Sequence, residues 1–506
     1  MDGGDEWSYL IVRPERAGIG DLWRFWRKGD EESGSKFIER SSSSSDDDDD
    51  DDDDDQDHDD EVDRDKRWVI VVSVVVRKLL GLFHKPMEWT GFLVEFFLNL
   101  LSLNGGFLGL LFNLLQGKVV IPQRGSATFR SSIGYLDERV KLYKTDNVGG
   151  KPSMGNKSLM DLCIMASKLA YENANVVEEV VVNRWKASIL SLSLIYQKGN
   201  SEANYQKEMS TQVFILCEKP TDANLILISF RGTELFDACD WSTDFDYSWY
   251  QIPNLGKVHV GFLEALGLGN RTDTASFQYN LQVKGIKVSS SDNSKMTAYD
   301  AVKTKLKELL AENRNAKFVV TGHSLGGALA ILLLVVLVLN EEIEVMERLL
   351  GVYTFGQPRV GDEKLGKFME EQLNEPEPRY FRVVYCNDLV PRLPYDDKAF
   401  LYKHFGACLY YNSFYMEQTV EEEPNRNYFG LRYLIPEHLN AVWELVRALT
   451  MQYVYGSDYK ENWCSIFVRF TGLLMPGISA HSPRDYVNSV RLGRQHAGHI
   501  RMSSLG

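Results

Sequence analysis

Residues 317–334, KFVVTGHSLGGALAILLL, narrow the possible folds of this chain more than any other stretch. The run opens with β-favouring apolar residues and closes with an apolar segment of helical character. Between the two stand Gly322, His323, Ser324, Leu325 and Gly326, a G-x-S-x-G pentapeptide. A serine on so tight a strand-to-helix turn sits in a strained backbone conformation, and large neighbours two residues away would collide with the sheet or the helix. The geometry would push the Ser324 hydroxyl out at the carboxyl edge of a sheet, beside a helix N-terminus whose amides favour negative charge. A glycine-rich β–α turn with an incidental serine is the plainer alternative. The strand before and the helix after favour the nucleophile.

From Ser126 onward, short β-rich runs alternate with helical ones. VFILCE from Val213, LILISFRG from Leu225, LGVYTFGQ from Leu350 and YFRVVYCND from Tyr380 read as strands. AYDAVKTKLKELLAEN from Ala298 and the run from Gly326 read as helices. Apolar strands alternating with helices predict an α/β fold with a mainly parallel sheet covered on both faces. Residues 270–295 read as a polar surface insertion.

A serine hydroxyl is a weak nucleophile near neutral pH and needs a base and an orienting acid. In α/β-hydrolase order these follow as serine, aspartate, histidine. VVYCNDLVPRLP offers Asp388 just past a strand end, with Asp396 and Asp397 as local rivals. Five histidines follow: His404, His438, His481, His496 and His499. His481 stands on a Ser/Pro loop before a helix and suits a side chain that reaches across a cleft. His404, in an aromatic run, is the second candidate. An oxyanion would need backbone donors. The amide of Leu325 is one, and the Gly232-Thr233 turn of ISFRGTE could supply another, with the Thr233 hydroxyl in reserve.

The formal net charge of −15 is mostly local, because thirteen aspartates lie between Asp46 and Asp60. The remaining near-neutral body offers no basic face for nucleic acid. Residues 1–67 are expected to be largely disordered, since like charges repel and little there can be buried. Residues 68–125 are strongly apolar and form a second region, and 126–506 the catalytic domain. Residues 96–116 carry no charge, but Asn99, Asn104 and Asn113 and the Gly105-Gly106 pair interrupt them. Two short arms lying in one lipid leaflet suit that composition better than a spanning helix or a core helix. Six scattered cysteines without a C-x-x-C pair favour a reducing compartment, and the acidic N-terminus does not read as a secretory signal. No H-E-x-x-H metal motif or phosphate loop appears, so no metal and no cofactor are expected. Oligomeric state is left open.

Together these motifs resemble the class 3 lipases, an α/β-hydrolase family. The likeness runs over about 225–492. It is carried by FRGT from Phe230, DWSTDFD from Asp240, KVHVGF from Lys257, VTGHSLGGALA from Val320, YTFGQPRVGD from Tyr353 and NDLVPRLP from Asn387. YKHFG from Tyr402 resembles a family segment whose histidine is not the base. The resemblance implies a serine carboxylester hydrolase with Ser324, Asp388 and His481 as triad and Thr233 and Leu325 as oxyanion donors. It also implies a short lid in ELFDACD, with Leu235 and Phe236 on its apolar face. The apolar N-terminal region and HSPRDYVNSVRLG from His481 look most like the plant oil-body triacylglycerol lipases. That implies a triacylglycerol substrate and a cytosol-facing, membrane-associated place on lipid droplets. Phospholipase A1 or galactolipase activity, and a catalytically silent scaffold, are the alternatives.

Overall fold

Leu225–Phe230, Lys317–His323, Leu349–Phe355 and Tyr380–Tyr385 are buried along almost their whole length. Strands covered on both faces must be apolar in this continuous way. In a computed structural model the described residues are 7–41, 56–143, 156–196, 210–219, 221–234, 236–281, 297–395, 401–428 and 430–495.

Thirteen strands occur among them, in chain order: β1 Ser8–Val12, β2 Ile38–Arg40, β3 Ser188–Tyr196, β4 Ser210–Cys217, β5 Leu225–Phe230, β6 Trp249–Ile252, β7 Gly256–His259, β8 Lys317–His323, β9 Leu349–Phe355, β10 Tyr380–Tyr385, β11 Ala407–Tyr411, β12 Met416–Val420 and β13 Arg494–Gln495. Nine form one sheet in the order β13-β12-β11-β10-β9-β8-β5-β4-β3. The run β5-β8-β9-β10-β11 at its centre is parallel throughout. Only β3, β4 and the β11–β12 pair run antiparallel. This is the mainly parallel α/β architecture that the alternation of apolar strands and helices predicts, and it agrees with the α/β-hydrolase fold that the resemblance implies.

Alternation along the strands assigns the two faces. Ile228, Val320 and Val352 join the core of the helix Leu325–Leu339, which is buried from Leu325 to Leu337. Leu227, Val319 and Tyr353 join the core of the helix Lys157–Leu169 on the other side. The sheet's parallel centre is therefore clamped, and the carboxyl end of β8 is fixed where the serine turn begins.

Three expectations need correction. Residues 7–41 are folded: β1 pairs with β2 and with β6, more than two hundred residues away. Leu10, Val12, Phe25 and Phe37 close a core with Val69, Ile70, Val74 and Tyr402. The charge pattern hid this because β6, the strand that ties Ser8–Val12 to the rest of the chain, is distant in sequence. The acidic run up to Asp55 lies outside the described residues. Second, the 67/68 boundary falls inside one helix, Gln56–Leu103. Its 48 residues reach roughly 70 Å, so the first arm is not short. Third, residues 270–295 are not wholly a surface insertion, because Phe277 and Leu281 are buried in the main core.

The long helix divides its surface by position. Arg77, nearly buried, bridges to Asp246 at 2.7 Å and donates to the Val12 carbonyl at 3.1 Å. Farther on, Leu82, Trp89, Leu93 and Phe97 are exposed. Gly105 and Gly106 then take positive φ values of 77° and 82°, and the chain bends by 76° into the helix Gly106–Leu115. No single helix among the described residues is long and apolar enough to cross a membrane, and only this bent pair reaches that length and composition together.

Candidate active site

Ser324 caps the helix Leu325–Leu339 with φ 60° and ψ −135°, a conformation that non-glycine residues adopt at a cost of order 1–3 kcal/mol. Its neighbours explain how the turn closes. A Cβ on Gly322 would lie 2.1 Å from the Gly326 backbone, and one on Gly326 would lie 2.3 Å from the Phe230 carbonyl oxygen. The Ser324 amide donates to the Phe355 carbonyl at 2.8 Å, tying the turn to β9.

The Gly232-Thr233 loop, the candidate oxyanion loop, arrives from the adjacent strand β5. Gly232 packs so closely that a Cβ there would meet the His323 carbonyl, the Tyr171 hydroxyl and Ser324 Cβ. Thr233 follows, buried, with its hydroxyl 3.5 Å from Asp244 Oδ2. The amide of Leu325 opens the helix on the other side of the serine. Burial, then the nearby Asp240 charge, raises the Asp244 carboxyl well above its ordinary range. Burial and Asp237 push Asp240 up to about 7.

Asp388 lies just beyond β10 and is fully buried. Burying a carboxylate is tolerable only when donors surround it. Here the Val390 amide donates to Oδ1 at 2.9 Å, and His481 Nδ1 lies 2.8 Å from Oδ2. Tyr486 donates its hydroxyl to the same Oδ2. Burial and the Asp388 charge hold the Tyr486 phenol well above its ordinary pKa, so it remains a donor. With Nδ1–H committed to the carboxylate, the lone pair of His481 is on Nε2. His481 Nε2 and Ser324 Oγ are both buried without a hydrogen-bond partner. Gly356, with φ +59°, leaves the space in which Asp388, His481 and Tyr486 meet.

His323 joins the elbow to the histidine loop. Its Nε2 lies 3.1 Å from the His481 carbonyl oxygen, and its Nδ1 2.8 Å from the Tyr171 hydroxyl. A carbonyl only accepts, so Nε2 carries the proton. Burial, then neighbouring His481, keeps His323 neutral, with a pKa well below the usual histidine range. Nδ1 must then accept from Tyr171.

The rival residues go elsewhere. His404 is bonded to the Pro391 carbonyl at 2.7 Å and sits 3.7 Å from Glu423. His438 bonds the Leu434 carbonyl of its own helix. Asp396, Asp397, His496 and His499 lie outside the described residues, as does Leu235. Phe236 packs on the long helix, where a Cβ on Gly91 would lie 2.7 Å from its own Cβ. Beside it is a cavity of about 430 Å³ lined by His84, Trp89, Phe92, Glu95 and Asp237. His84, Asp237 and Cys239 bring three potential metal-ligand atoms within 4.8 Å of one another. Asp237 there caps the helix Ala238–Asp244 through the amides of Cys239 and Asp240.

Sequence reasoning missed Tyr486, Tyr171 and Asp244. Tyr486 follows His481 by five residues on the same loop–helix unit, which was a usable signal. Tyr171 had none, being 152 residues from His323.

An imidazole held by a buried carboxylate, its loop bonded to the His323 that precedes an elbow serine on this sheet, has the arrangement of a serine hydrolase of the α/β type. The family model of the class 3 lipases matches residues 227–398. Triacylglycerol lipase OBL1 of Nicotiana tabacum is 55% identical over 98% of this chain and 96% of its own length. The protein of the same name from Arabidopsis thaliana is 56% identical over 98% of this chain and 97% of its own. Among solved structures, the lipase of Rhizopus microsporus var. chinensis is 20% identical, covering 60% of this chain and 86% of its own, with a TM-score of 0.36. The chain belongs to the class 3 lipase family.

Proposed function

We propose that this lipase hydrolyses triacylglycerol and releases fatty acids at a lipid-droplet surface, with Ser324 as nucleophile, His481 as base and Asp388 as its orienting carboxylate. Ser324 Oγ attacks the ester carbonyl while its proton passes to His481 Nε2. The new oxyanion is held by the amides of Leu325 and Thr233. Collapse breaks the C–O bond to the glycerol oxygen, which takes the proton from His481, and diacylglycerol leaves. Water, deprotonated by the same imidazole, then releases the fatty acid and restores Ser324. Asp388 keeps the imidazole in the productive tautomer throughout.

The observation that carries this reading is the 2.8 Å His481–Asp388 contact with an unpartnered Nε2. It occurs in a chain similar over 98% of its length to proteins named triacylglycerol lipase. A droplet location is supported by the exposed apolar surface of the long helix and of Gly106–Leu115, where Phe107, Leu108 and Phe112 face outward. Residues 234–240 serve as the lid, with Phe236 moving off the long helix when that helix meets oil.

Purified wild type and Ser324→Ala, offered triolein emulsion, phosphatidylcholine and galactolipid, test the assignment. The variant should lose on the order of 10⁴-fold in rate on triolein. A variant as fast as wild type removes Ser324 from the mechanism. Preference of the wild type for phosphatidylcholine or galactolipid makes it a polar-lipid hydrolase, and no hydrolysis at all makes it a scaffold.

A further inference from the structure

The helix Leu434–Tyr455 is built inside out. Its only Asp, Glu, Lys or Arg residues are Glu437, Glu444 and Arg447, and all three are buried. Leu439, Val442, Trp443, Val446 and Leu449, spaced along one helical face, are exposed. The next helix, Trp463–Gly472, repeats the inversion: Arg469 is buried, while Trp463, Phe467 and Phe470 are exposed.

Glu437 accepts from the Asn425 side chain, and the other buried charges join one network. Glu444 accepts from the Tyr385 hydroxyl at 2.8 Å, Arg447 meets Asp485 at 3.1 Å, and Arg469 meets Glu461 at 2.8 Å and Asp485 at 3.0 Å. That network rivets both helices, charged side down, onto β10 and onto the helix Pro483–Leu492 that follows His481. Turning them over would strand these charges, so the apolar face is held outward.

We infer that the outward face of Leu434–Tyr455 and Trp463–Gly472 is a second lipid-docking surface, which seats the catalytic mouth on the oil phase. This rests on the proposed action at a lipid surface and deepens it. Three observations select a lipid phase as the occupant. The face carries no charge or salt-bridge partner with which a protein could set a register. Both helices pack on Pro476–Ala480, which runs directly into His481. Finally, Trp463–Gly472 packs on Ser132–Leu136, which packs on the long apolar helix, so the two apolar surfaces flank the site as one continuous chain of elements.

The test uses the full-length enzyme and triolein droplets coated with phosphatidylcholine. Leu439→Glu/Val446→Glu/Leu449→Glu should turn over a soluble butyrate ester within about twofold of wild type. Its ratio of triolein to soluble-ester turnover should fall at least about tenfold, because glutamates resist entry into lipid. An unchanged ratio overturns the inference. So does a shift from dimer to monomer by light scattering with the ratio intact, which would make the face a self-association surface.

Fluorescence quenching by brominated phosphatidylcholine gives a second reading that does not depend on the triple variant folding. The quenched fraction should shrink in Trp443→Phe, and equal quenching in wild type and variant refutes docking. A wild type that cleaves the soluble ester but leaves triolein intact would count against the proposed substrate, and the quenching would still decide the docking.

Discussion

Gly356→Ala puts one methyl group where the acid–histidine pair meets. A Cβ there would lie 2.9 Å from each of three atoms: Asp388 Oδ2, His481 Cε1 and the Tyr486 hydroxyl oxygen. Ordinary contact begins near 3.4 Å, so each atom must yield by about half an ångström in a packed interior that has little slack. The carboxylate cannot retreat without weakening its bonds to the Val390 amide and to Tyr486. The imidazole therefore moves. A misplacement near 1 Å costs roughly 10²-fold in rate, so a loss of roughly tenfold to a hundredfold in kcat is expected.

The alanine also inherits a φ of +59°, costing about 1–2 kcal/mol and lowering Tm by a few degrees. Gly125→Ala separates the two effects. It shares a positive φ, +81°, but nothing lies within 4 Å of its Cβ, so it should lose some stability and keep kcat within about twofold. The assay is steady-state hydrolysis of a soluble butyrate ester alongside thermal melts of both variants. If Gly356→Ala turns over at the wild-type rate while folded, the His481–Asp388 pair is not the device that activates the nucleophile.

Two further predictions follow from groups around the elbow. Tyr171→Phe leaves His323 Nδ1 buried and unpaired, which should cost about 1–3 kcal/mol of stability; with its tie to His481 slackened, kcat should fall by a few-fold at unchanged KM. Asp240→Asn should raise stability in a pH-dependent way, read by melts at two pH values. With the folded pKa pushed up to about 7 against about 3.9 in the unfolded chain, its favourable contribution is complete below pH 4 and is lost as pH rises through 7. Asparagine should therefore leave Tm unchanged at pH 4 and stabilise at pH 8 by roughly 1–2 kcal/mol, allowing for partial solvent exposure.

What was legible in the sequence was local. The strands β5, β8, β9 and β10 could be read because their burial on both faces leaves continuous apolar runs. The serine turn could be read because Gly322 is demanded by the backbone of Gly326, four residues on, within one short motif. The choice of Asp388 and His481 was reachable because each lies on a short Pro- or Ser-bearing loop at an element end. Tyr171 was out of reach, since nothing near it marks the partner, His323, that gives it meaning. The same holds for Ser8–Val12, whose pairing with Trp249–Ile252 cannot be seen from either strand alone.

The three asparagines in the apolar hairpin carry this point one step further. In sequence they argue against a spanning helix, because an unpaired amide in an apolar setting costs several kcal/mol. In the structure they are staples. Asn99 donates to the Arg130 carbonyl and accepts from the Arg130 amide, each at 2.9 Å. Asn104 does the same with Val120, at 2.8 and 3.0 Å, and Asn113 donates to the side chain of Asn104 at 3.0 Å. The returning strand of chain, 118–130, is thereby pinned along the hairpin, and the bend at Gly105-Gly106 is locked by polar bonds. An apolar surface cannot hold its own shape by hydrophobic contact if oil wets it, because the solvent then competes equally for every methyl group. Hydrogen bonds between side-chain amides and backbone gain strength in that same environment. On the proposed action at a lipid surface, the residues that look like flaws in this apolar segment are therefore those that would keep its geometry against oil.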